Sequence, residues 1–140
     1  MNIKLIFQLS LFGLVMALGT ISLIPAVIEP IIWVVIFIIC AYIIAKSCTG
    51  KYFLHGFLVS LANSVWITAA HIIFAGTYLA HHPQQVPSNV IVPLINHPRM
   101  MMLIAGPIIG AVSGVVLGLF AFAASRIVKK KPDLEGSAAK

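Results

Sequence analysis

Charged side chains divide this chain into long apolar stretches. They stand at Lys4, Glu29, Lys46, Lys51, Arg99, Arg126, Lys129, Lys130, Lys131, Asp133, Glu135 and Lys140, which leaves charge-free runs at 5–28, 30–45, 52–98 and 100–125. A hydrocarbon layer of about 30 Å is crossed by about 20 helical residues. The runs therefore predict four spans: Leu5 to Ile24, Val27 to Ala45, Tyr52 to Leu79 and Met101 to Val128. Lipid offers the backbone no hydrogen-bond partner, so each span must be a helix or a barrel strand. None of the runs alternates with a period of two, which excludes a barrel. The expected fold is an all-α membrane protein. Its four transmembrane helices form an up-down bundle within residues 1–131, and a polar tail follows at 132–140.

The connections carry their own signals. Pro25, Glu29 and Pro30 mark a tight turn between the first two spans, and Lys46 to Lys51 form a short polar turn before the third. The long connection at 81–99 holds Pro83, Pro87, Pro93 and Pro98 together with His81, His82 and His97. Each proline removes a backbone donor and disfavours helix in the residue before it. An irregular external loop, with Val90 to Ile95 dipping toward the interface, is the expectation there.

Composition agrees with this pattern. Only 12 of 140 residues are charged, 61% are hydrophobic and the mean hydropathy is +1.09. Soluble domains carry about 25% charge. A soluble enzyme, a disordered chain and a disulfide-knotted secreted domain are all excluded. The net charge of +6 matters through its position. With four spans both termini share one side, and that side holds every Lys and Arg except Arg99. The positive-inside rule then places both termini in the cytoplasm, at a plasma membrane or a bacterial inner membrane. Lys129 to Lys131 read as a headgroup anchor, because three lysines beside a span offer no groove-sized surface for nucleic acid.

Few residues carry recognisable chemistry. Cys40 and Cys48 lack redox-pair spacing and read as structural thiols, with palmitoylation of Cys48 as the alternative. No Walker loop, nucleophile elbow or H-E-x-x-H motif is present. Proton-coupled carriers commonly place a carboxylate inside a span. Here only Glu29 comes close, as a solvated turn residue or a cation ligand at the outer face.

Two stripes stand out. Gly106, Gly110, Gly114 and Gly118 recur every four residues in the fourth span. Successive members lie about 40° apart, so they form one smooth groove for close helix packing, either within the chain or against a second copy. Pro107 is expected to kink this helix. The first span offers a matching small surface at Ser10, Gly13 and Ala17, whereas the bulky second span is expected to be the most lipid-exposed. The third span holds the polar stripe. On a continuous helix Ser60, Ser64, His71 and Tyr78 fall within about 20° of one direction, with Gly56, Ile67 and Thr68 flanking them and Asn63 turned toward a neighbour. Such a stripe must face protein or water. It reads as interhelical polar glue or as the lining of a solute path. His55 lies near the cytoplasmic end on another face and reads as interfacial.

The function expected from these features is helix association, as a subunit of a membrane complex or a small oligomeric transporter or channel for a small solute. Its partners are then the bilayer and either further copies or other membrane subunits. No cofactor is expected, and an enzyme is the lesser reading. The alternative is a redox protein whose His81, His82 and His97 bind Zn or Cu, with the thioethers of Met100 to Met102 suiting Cu(I). A haem needs two histidines at matching depth on facing helices, for which His71 and His97 are the nearest pairing.

Overall fold

The computed structural model describes residues 1–83 and 97–128. The expected cap at 84–96, Lys129 to Lys131 and the tail at 132–140 lie outside the described residues. Five helices follow in order: α1 (Ile3–Ser22), α2 (Glu29–Ser47), α3 (Tyr52–Ile73), α4 (Ala75–His81) and α5 (Pro98–Ile127). There is no strand among the described residues. All except α4 are long and apolar enough to cross a membrane.

Local chemistry sets the helix ends. The Asn2 side chain caps α1 by accepting the Leu5 N–H at 3.1 Å. Pro30 and Pro98 occupy the first turns of α2 and α5, where a missing N–H costs no helix bond. Lys51 adopts the left-handed conformation (φ 53°) in the turn before α3. Its carbonyl accepts both the His55 N–H (3.0 Å) and His55 Nδ1–H (2.8 Å). The His55 ring thus keeps Nε2 as an acceptor, and the Asn2 N–H donates to it at 3.0 Å. His55 is therefore buried at the start of α3 and ties down the start of α1.

The third span is not one helix. It breaks at Phe74 (φ −102°, ψ 28°), and Gly76 just beyond lowers helix propensity. The span continues past Ile73 as the separate helix α4, which keeps Tyr78 on the side of His71.

Helix α3 is central. On one side it meets α5 with very little separation. A Cβ added to Gly56 would lie 2.7 Å from the Leu117 carbonyl and 2.9 Å from Gly118 Cα. Cβ atoms at Gly114 and Gly118 would crowd Phe57 and Phe53, and those at Gly110 and Gly106 would overlap Ser64 and Thr68. Ser60 Oγ donates to the Gly110 carbonyl across the same contact (3.1 Å). The glycine face of α5 is thus covered by α3 and is not open to a second chain. On the other side α3 meets α1, where a Cβ at Gly13 would lie 2.7 Å from Asn63 Cα. Trp66 Nε1–H donates to Ser10 Oγ there (3.2 Å).

Helix α2 buries residues only from Ile36 onward. Its buried residues are Ile36, Cys40, Ala41, Ile44 and Ala45, and Ile44 and Cys40 are fully enclosed. Cys48 is buried as well, which counters its reading as a lipidation site. The expectation that α2 is the most exposed span is corrected. In the most apolar windows α5 is 22% buried and α2 28%. The small residues of α2 let it seat closely, whereas α5 buries little beyond its glycine side.

The contact between α3 and α5 generates a direct prediction. Gly56→Ala is expected to lower stability by about 1–3 kcal/mol through overpacking. Gly50→Ala, whose Cβ meets nothing within 4 Å, is expected to stay within about 0.5 kcal/mol. Thermal unfolding in detergent reads both, and equal melting of Gly56→Ala and wild type would contradict the close approach.

Candidate functional site

The stretch of α2 before Ile36 contributes no buried residue, and a partly open cleft of about 610 Å³ lies between it and α3, α4 and α5. That volume falls within the usual range of about 300–1,000 Å³ for small-molecule sites. Helix α2 lines it with Glu29, Pro30, Trp33 and Phe37. Helix α3 supplies Ser60, Asn63, Ser64, Ile67, Thr68 and His71, and α4 adds Tyr78 and Leu79. From α5 come Met101, Met102, Ala105, Gly106, Ile109, Gly110 and Ser113. The polar stripe residues Ser60, Asn63, Ser64, His71 and Tyr78 thus share one cavity with two of the ladder glycines. Gly114 and Gly118 lie elsewhere on the α3–α5 contact.

Polar groups of the stripe fall into two kinds. Ser60 is bonded to α5 as described, and Ser64 Oγ donates to the Leu61 carbonyl of its own helix at 2.8 Å. Asn63 and Thr68 differ. Asn63 is 2% exposed, and neither Nδ2 nor Oδ1 has a hydrogen-bond partner. Thr68 is 9% exposed and its Oγ1 is likewise unpartnered. Leaving a buried donor or acceptor unsatisfied costs about 1–3 kcal/mol. Close approach explains why neither side chain finds a protein partner. Gly13 faces Asn63 and Gly106 faces Thr68, and a glycine surface offers no side-chain donor or acceptor.

His71 is held from two directions. Its Nε2 lies 3.1 Å from Thr20 Oγ1, whose hydroxyl is also 3.2 Å from the Ala17 carbonyl. With the hydroxyl hydrogen on that carbonyl, His71 Nε2–H donates to Thr20. The bend at Phe74 then brings the Tyr78 ring onto His71 at 3.8 Å, and His82 stacks on the far face of Tyr78 at 4.5 Å. Three rings thus form a column beside the cleft. Composition provides no signal for this column. The spacing of seven puts Tyr78 and His71 on one side, but an unbroken helix would hold them about 10 Å apart along its axis, so the 3.8 Å stack accompanies the break at Phe74.

The proposed metal set does not assemble. No group of three or more His, Cys, Asp or Glu is placed to hold a metal ion among the described residues. Neighbouring positions on a helix diverge by about 100°, and the rings of His81 and His82 follow that geometry. His81 is exposed, with Nδ1–H on the Thr77 carbonyl at 3.0 Å. His82 is 2% exposed in the ring column, with Nδ1–H on the Tyr78 carbonyl at 3.1 Å. His97 is exposed and caps the start of α5 by its backbone.

No protein-family model, curated protein or solved structure matches the chain. The reading of the site therefore rests on its geometry.

Thr20→Val keeps the shape of the side chain but removes the hydroxyl beside His71. It is expected to lower stability by about 0.6–1.7 kcal/mol, the size of an interhelical bond in lipid. Thermal unfolding against a Thr77→Val control measures it. Unchanged melting would mean that the Thr20 hydroxyl does not support His71.

Proposed function

We propose that this chain is a small multi-span membrane protein that binds a small amphipathic solute in the cleft between α2, α3, α4 and α5, and carries it. In this reading the four long helices cross as an up-down bundle with both termini cytoplasmic, which the Lys and Arg distribution supports. The membrane is a plasma membrane or a bacterial inner membrane.

One observation carries the reading. A cleft of about 610 Å³ is lined by Asn63 and Thr68, whose buried polar atoms have no partner. A solute with a hydrogen-bonding group is offered the polar stripe of α3 along one wall, while the apolar walls take the rest of it. His71 and Tyr78 shape one wall and are braced from outside the cleft by Thr20 and His82. Preorganisation of this kind lowers the ordering cost of binding.

Association with further copies or other subunits, where it occurs, uses the outward apolar face of α5 (Ile108, Val112, Val115, Leu119), because the glycine face is occupied. The zinc or copper alternative finds no cluster of three or more His, Cys, Asp or Glu among the described residues to support it.

Filling the cleft tests the proposal. Ala105 lines it, and Ala105→Phe is expected to block it with stability changed by no more than about 1 kcal/mol. Native mass spectrometry of protein released from its membrane is expected to show a low-mass adduct on the wild type and none on Ala105→Phe. Identical spectra for the two proteins would overturn the proposal.

A further inference from the structure

The ionisable lining of the cleft points to the charge of its occupant. Glu29 is half-buried at the rim, and no Lys or Arg lines the cavity. The hydrogen bond that Glu29 makes among the described residues comes from a neutral donor, Trp33 Nε1–H, at 3.4 Å from Oε1. No described basic side chain pairs with it. An anion in the cleft would meet this carboxylate without compensation. A neutral occupant would desolvate it and leave it unpaired. An occupant carrying positive charge does neither.

The neighbouring surface suits a cation of a particular kind. Trp33 and Phe37 pack edge to face at 5.9 Å, and both line the cleft with Tyr78. Ring faces attract organic cations, most strongly at indole. A bare metal ion is poorly served, since hard cations take six or more oxygen ligands and a single carboxylate stands here. The polar side chains Ser60, Asn63, Ser64 and Thr68 line another wall of the cleft and suit a neutral polar group. The thioethers of Met101 and Met102 provide adaptable apolar contact.

We propose that the cleft selects an organic cation with an apolar body, its ammonium group held at Glu29 and Trp33. This assignment rests on the solute-binding reading above and gives its substrate class. Glu29 is then a charge-selecting residue at the entrance. Its place in the first turn of α2 also suits the helix dipole, so the test must separate binding from helix stability.

The probes are benzyltrimethylammonium and its uncharged carbon isostere, neopentylbenzene, which match in shape. Trp33 fluorescence in a Trp66→Phe background reports occupancy, and equilibrium dialysis gives an independent affinity. The cation is expected to bind at least about tenfold more tightly than the isostere. Glu29→Gln is expected to remove that preference while changing isostere affinity by no more than about twofold, with thermal unfolding confirming that α2 is intact. Ala105→Phe is expected to abolish both. Equal binding of the two probes, or a Glu29→Gln protein that keeps the preference, overturns the cation assignment and leaves solute binding standing. Binding of neither probe, together with no adduct in mass spectrometry, overturns both.

Discussion

The close approach of α3 to α5 is the constraint on which the rest depends. In a lipid layer apolar side chains gain nothing by leaving solvent, so helices associate through packing and polar contacts. At Gly56 and Gly118 the two backbones come near enough that one added methyl group would strike a carbonyl or a Cα. Ser60 bonds directly to the Gly110 carbonyl in the same contact. With α3 seated this tightly on α5 and, through Asn63 and Gly13, on α1, the three helices form a firm frame. Helix α2 joins that frame with buried residues only from Ile36 onward.

That uneven attachment is what makes a cleft. Ile36, Cys40, Ala41 and Ile44 anchor α2, while no residue from Glu29 to Val35 is buried and Glu29, Pro30 and Trp33 line the cleft. The same glycines that permit close packing deny partners to Asn63 and Thr68. Tight backbone contact and unsatisfied buried polar atoms are thus one feature seen from two sides.

Much of the fold was legible in the sequence. Charge-free runs located four helices, because a charged group inside lipid is costly and its placement is therefore restricted. The ends were less legible, since Asn2 as a cap and Pro98 as a first-turn residue extend α1 and α5 beyond the apolar runs. The stripe Ser60, Asn63, Ser64 and His71 was visible as residues that must avoid lipid. What could not be read was the break at Phe74, where an apolar sequence continues without proline or charge. The burial of His55 was not legible for a similar reason. Its burial comes from Asn2, which lies far away in the chain.

The sequence by itself determined the number of long apolar helices, the bias of basic residues to one set of ends, and which faces carry glycine or polar groups. These follow from residue identity and helical period alone. Tertiary structure decided which faces meet. It assigned the glycine face of α5 to α3, separated His81, His82 and His97, and stacked Tyr78 on His71. It also gathered Glu29, Trp33, Asn63 and Thr68 around one cavity. Sequence period specifies direction around a helix axis but not the distance or tilt between axes, and a cleft is made of those distances.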